Sequence, residues 1–145
     1  MTTVSAWLIA AIIAQAAIAM VLLIVLGLIR VPMVTSGRMP LRDVALSREP
    51  WPVHEKRVSN AFDNQFQLPV LFYVACGLAL YFQPSWLEVA LAWGFVLSRV
   101  VHAAVFATTN NVPQRFLAYT VGTIVLGLLG LDVAVRLIVL AMGGH

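Results

Sequence analysis

The side chains able to do chemistry fall at three places in the chain. The first is the stretch "KRVSNAFD", in which Lys56, Asn60 and Asp63 recur at helical spacing. The second is "SRVVHAAVF", with Arg99, His102 and Phe106. The third is Arg115, followed one turn later by Tyr119. At about 100° per residue, Lys56, Asn60, Asp63 and Gln67 share an arc of about 60°, and Arg99, His102 and Phe106 share another. Cations outnumber carboxylates in this set. Even if Asp63 pairs with Arg99, Lys56 and Arg115 stay free. Such a surplus beside a hydrocarbon wall suits an anionic ligand.

The hydrocarbon wall follows from composition. Of 145 residues, 61% are hydrophobic and 10% charged, against about 25% charged in a soluble domain. The chain reads as an all-α integral membrane protein, one domain over residues 1–145 and too short for two. Its single cysteine, Cys76, excludes an intramolecular disulfide, a CxxC redox pair and a cysteine-based metal site. The net charge of +3 does not point to nucleic acid. Six of the nine Lys and Arg residues lie between Arg30 and Arg57, which is a topology signal.

Four transmembrane helices are expected, at about 5–30, 56–82, 86–108 and 114–141, in an antiparallel bundle. Trp7 to Ile29 gives 23 residues with Gln15 as the only strongly polar one. No Lys or Arg precedes Arg30, so this reads as a retained span and not a signal peptide. The fourth helix begins near Pro113, a residue suited to a first turn, and gives way to "GGH". Loop 31–54 carries Pro32, Pro40, Pro50 and Pro52, and it falls on the same side as the turn "TTNNVPQR". The positive-inside rule puts that side in the cytoplasm and both termini outside.

The second helix poses a problem of length. Its apolar run, Leu68–Phe82, covers only about 22 Å, while a bilayer core is about 30 Å. Asp63, Asn64 and Gln67 must therefore enter the membrane. Lipid contact would cost several kcal/mol, so their face is expected to meet the polar face of the third helix. Counted from Trp86, Arg99 lies about 20 Å down and His102 about 24 Å, at the same level. Pro69 is expected to kink the second helix, and Asp132 with Arg136 to form a structural i, i+4 pair. Lys56 and Arg57 also suit interfacial anchors.

At these residues the chain resembles the membrane-associated proteins in eicosanoid and glutathione metabolism, the MAPEG family. That family shows a basic residue, three positions, Asn, two positions, then Glu; here these are Lys56, Asn60 and Asp63. It then shows Arg, two positions, His or Tyr, three positions, Tyr, and an Arg opening the last helix. Here these are Arg99, His102, Phe106 and Arg115. The continuation "NQFQLPVLFY" looks like bacterial members, which implies a bacterial inner membrane. Three residues depart from the pattern: Phe106 for Tyr, Lys56 for Arg, and Asp63 for Glu.

The resemblance implies a homotrimer of four-helix bundles. It implies glutathione as cosubstrate near the cytoplasmic face, between subunits, used by a transferase or peroxidase on a lipophilic electrophile from the bilayer. By position, Arg30, Lys56, Asn60, Asp63, Arg99, His102 and Tyr119 would contact glutathione. Asp63 would take its ammonium group, Arg30 or Lys56 a carboxylate, and Arg115 would face the sulfur. A free thiol titrates near 8.5, and a guanidinium within about 4–6 Å lowers that by about 1–3 units. Two other readings compete. One is a non-catalytic protein of the same fold that binds lipid or an anionic ligand. The other is a small transporter, which would want a carboxylate deep in the first helix, where only Gln15 stands.

Overall fold

The computed structural model describes residues 1–143, and these build helices only. Gly144 and His145, the end of "GGH", lie outside the described residues. Helix α1 spans Thr3–Thr35, capped by Thr2, whose Oγ1 accepts from the Ser5 N–H at 3.1 Å. It runs past the expected limit near residue 30. Pro32 lacks one N–H, yet the ladder resumes with Ser36 N–H donating to the Pro32 carbonyl at 3.1 Å. The stop comes at Gly37, whose φ of +73° suits glycine and ends the helix.

The long loop contains one helical turn, α2 (Leu41–Val44). The expected second helix is broken. Helix α3 covers Val53–Asp63, a 3-10 turn follows at Asn64–Phe66, and α4 covers Leu68–Tyr81. Gln67 sits at the break, with φ −103° and ψ −104°. The cause is Pro69, which cannot donate to the carbonyl four residues back, and whose ring would clash with it. Helix α5 spans Trp86–Ala107 and opens on a capping box: the Glu88 carboxylate accepts from the Ser85 N–H at 2.6 Å. Helix α6 spans Val112–Gly143.

Among the described residues, three helices are long and apolar enough to cross a membrane: Thr3–Thr35, Trp86–Ala107 and Val112–Met142. The chain is an integral membrane protein. Helix α4, with 14 residues, covers only about 21 Å, and α3 supplies the polar end of the same broken rod.

Two apolar clusters hold the rods together. One joins Leu8 of α1, Phe72 and Cys76 of α4, Phe95 of α5 and Leu129 of α6, with Phe72 stacked on Phe95 at 4.7 Å. The other joins Leu22 and Leu26 of α1, Val58 and Ala61 of α3, and Ala103 and Phe106 of α5. The second cluster lies toward the end that carries the long loop and the α5–α6 turn. Arg57 ties that end together, donating to the Thr108 carbonyl at 2.6 Å.

Candidate functional site

Three elements converge at that end. Helix α5 carries Arg99, His102 and Phe106 on its buried face, and α6 brings Arg115 and Tyr119. The 3-10 turn brings the backbone of Asn64, whose carbonyl accepts from Arg99 Nη2 at 3.2 Å. His102 Nδ1 lies 3.0 Å from the Arg115 carbonyl. A carbonyl only accepts, so Nδ1 carries the hydrogen in this contact. The His102 ring stands 5.8 Å from Phe106 and 5.7 Å from Tyr119. The Arg115 guanidinium lies 4.0 Å over the Phe106 ring, and its Nη1 donates to Asn110 Oδ1 at 2.6 Å. His102, Phe106, Arg115 and Tyr119, together with Asn64, Val112 and Phe116, line a cavity of about 250 Å³.

The electrostatics of this corner are one-sided. Neither Arg99 nor Arg115 forms an ion pair among the described residues. Arg99 is 0% exposed, and its Nε and Nη1 have no hydrogen-bond partner among the described residues; nor does His102 Nε2. A buried charge without a counter-ion is costly, so the corner favours an anion brought from outside the chain.

The other expected residues lie elsewhere. Asp63 does not pair with Arg99. It pairs with Arg48 of the long loop, and the hydrogen bond and charge of Asp63 hold the Arg48 guanidinium above its ordinary range. Arg30 donates from Nε to Glu55 Oε1 at 2.7 Å and from Nη2 to Ser59 Oγ at 3.3 Å, and its Nη2 stands 2.6 Å from Glu55 Oε1 in the ion pair. Its guanidinium also stands 5.2 Å from the Trp51 ring. Arg30 and Arg48 line a second cavity, of about 770 Å³, between the end of α1 and the loop. Lys56 is half-buried and Asn60 exposed.

The expected meeting of the two polar faces therefore fails within one chain. The stripe of α3 that packs inward is Glu55, Val58, Ser59 and Ala61, and the arc of Lys56, Asn60 and Asp63 points away from it. Gln67 leaves the arc altogether, because the helix breaks before it. Helix α3 starts at Val53, three residues ahead of expectation, which puts Glu55 in its first turn and on the packed side.

The family model for the MAPEG family matches residues 8–135, nearly the whole chain. The chain belongs to the MAPEG family. Membership places it among membrane proteins of glutathione and eicosanoid metabolism. No curated protein and no solved structure matches it. The region matched by the MAPEG model takes in every candidate residue from Arg30 to Tyr119.

Three features of this MAPEG chain escaped the sequence reading. Glu55 is a second carboxylate at this level, fully buried, so Asp63 is not alone. Its signal was available: Glu55 and Ser59 stand at i, i+4 once Pro52 is read as the helix start. Gln65 accepts from Gln15 Nε2 at 3.0 Å and donates to the Ala61 carbonyl at 3.1 Å, a buried polar joint at the break. Asn110 holds Arg115 from the α5–α6 turn, and nothing in its spacing announced that role.

Proposed function

We propose that this chain is a membrane-bound, glutathione-dependent transferase or peroxidase acting on lipophilic electrophiles, with Arg115 stabilising the thiolate. The observation that carries the reading is the Arg115 guanidinium. It is held at a cavity wall by a ring face and an amide oxygen, with no carboxylate partner among the described residues. The start of α6 adds a partial positive charge from unpaired backbone N–H groups. Both effects favour a sulfur anion. The thiol proton leaves to solvent, and in the conjugation case the thiolate sulfur forms a C–S bond to the electrophilic carbon while that carbon's bond to its leaving group breaks and the leaving group departs with the electron pair.

The site is completed across subunits of a homotrimer of four-span bundles. Two observations support this. The 250 Å³ cavity holds only part of a tripeptide, given that ligand pockets usually run about 300–1,000 Å³. The polar arc of Lys56 and Asn60 faces out of the chain, where a neighbouring subunit's cavity would bring a ligand to it. The long basic loop then lies in the cytoplasm of a bacterial inner membrane, with both termini outside.

A second reading is a MAPEG protein that binds an anion without turning it over. It is favoured by Phe106, which offers Arg115 a ring face and no hydroxyl. Arg115→Ala tests the choice. In detergent it should fold like the parent and lose about tenfold or more in conjugation of a model electrophile at neutral pH, about 1.4 kcal/mol per pKa unit of thiol activation. The loss should shrink as pH approaches the free thiol's value. Arg115→Lys should recover part of the rate. Parent-like turnover in the Ala variant would reduce Arg115 to a membrane anchor. Glutathione binding without turnover of any electrophile in the parent would favour the second reading.

A further inference from the structure

We propose that Asn110 is a positioning residue: it fixes the Arg115 guanidinium over the Phe106 ring while leaving its positive charge un-neutralised. The inference rests on the thiolate role of Arg115 proposed above. An arginine at the membrane edge ordinarily has several rotamers and a choice of aqueous partners. Here it has two fixed contacts, the Asn110 amide oxygen at 2.6 Å and the Phe106 ring at 4.0 Å. Its backbone is fixed as well. The Arg115 N–H donates to the Asn111 carbonyl at 3.0 Å, and the Arg115 carbonyl accepts from His102 at 3.0 Å.

The chemistry of the two side-chain contacts is the point. A carboxylate would hold a guanidinium equally well, but it would cancel the charge that a thiolate needs. An amide oxygen and a π face hold it as neutral groups. Asn110 also suits the backbone. Its φ is +53°, in the left-handed region that Asn and Asp tolerate better than other non-glycine residues, and its N–H donates to the Val105 carbonyl at 2.7 Å. Turn and clamp are thus one residue.

A purely structural role for Asn110, as the residue that lets α5 turn into α6, makes a different prediction. Glycine would serve that turn, and so would aspartate. Asn110→Gly keeps the backbone and removes the amide oxygen. Asn110→Asp keeps the backbone and the hydrogen bond and adds a negative charge. The measurement is the pH titration of bound glutathione's thiolate absorbance in the full-length detergent-solubilised protein, with binding followed by calorimetry.

In Asn110→Asp the bound thiol should titrate at least about one unit higher than in the parent, leaving about tenfold less thiolate at neutral pH. Asn110→Gly should shift it in the same direction by less. On an Arg115→Ala background, Asn110→Asp should change the titration no further, because the group it acts through is gone. Parent-like titration in both single variants, with glutathione bound, would overturn the inference and leave the proposed function standing. Should Asn110→Asp fail to fold, Asn110→Gly alone decides: an upward shift supports the clamp and an unshifted curve overturns it. A parent that binds no glutathione at all would overturn the proposed function and this inference together.

Discussion

Asp63 is ion-paired with Arg48 of the preceding loop, and Arg99, at the depth where a partner for Asp63 was expected, donates instead to the carbonyl of Asn64. The loop thus occupies a carboxylate that, by its place in the MAPEG pattern, would receive the ammonium group of glutathione. The pair is solvent-accessible, with side chains 57% and 42% exposed, so it contributes about 1 kcal/mol or less. A ligand can displace it.

Removing that competitor should help the ligand. Arg48→Ala should leave thermal stability within about 1 kcal/mol of the parent and tighten glutathione binding by up to about fivefold. The gain should fade at high salt, since the pair it removes is screened there too. Weaker binding in the variant would mean that Arg48 itself holds the ligand, from the wall of the larger cavity.

Arg30 stands differently. Its partner Glu55 is 0% exposed, so deleting the arginine strands a buried carboxylate. Arg30→Ala should cost about 3 kcal/mol or more in stability. Adding Glu55→Gln should restore most of that loss by removing the charge. If Arg30→Ala melts with the parent but binds glutathione poorly, Arg30 serves the ligand and its bond to Glu55 is incidental.

The sequence was legible where periodicity and composition dominate. The apolar helices, the sides on which the loops fall, and the gathering of Arg99, His102, Arg115 and Tyr119 all follow from counting residues and depth. It was less legible where one residue decides a boundary. The kink expected at Pro69 is a full break into two helices, and the start of α3 at Val53 changed which face counts as inner. Depth put Asp63 and Arg99 on one level, but depth carries no azimuth. The pairing then followed azimuth: Asp63 looks out toward the loop and Arg99 looks in. Asn110 was invisible because its effect depends on a φ of +53° that only the folded turn reveals.

The convergence of α5 and α6 depends on close approach at Gly122. A Cβ there would stand 2.5 Å from Ser98 Oγ and 3.4 Å from Ser98 Cβ. Ser98 sits one residue before Arg99, so separation of the two helices would also move the site. Gly122→Ala should destabilise the protein by about 1–3 kcal/mol, because Ser98 Oγ must abandon its 2.6 Å bond to the Phe95 carbonyl or the helices must part. Ser98→Ala combined with Gly122→Ala should recover most of the loss in a thermal melt. No recovery would place the strain in the backbone and not in the hydroxyl.

At the opposite end, Arg136 satisfies two acids at once. Its Nε donates to Asp132 at 3.0 Å, its Nη2 to Glu88 at 3.1 Å, and Glu88 is fully buried. The sequence pointed to Asp132 through i, i+4 spacing, but the partner that matters more for stability is Glu88, from another helix. Glu88 also caps α5 through Ser85, so Arg136 locks the end of α6 to the start of α5. Arg136→Ala should therefore cost about 3 kcal/mol or more, since it leaves a buried carboxylate unpaired. Asp132→Ala should cost much less, because Asp132 is partly exposed and its pair with Arg136 lies within one helix. Glu88→Gln in the Arg136→Ala background should restore much of the stability, as Gln keeps the capping geometry without the charge. Thermal melts of the four proteins in one detergent check this. Equal losses for Arg136→Ala and Asp132→Ala would mean that the i, i+4 pair carries the stabilisation and the bridge to Glu88 adds nothing.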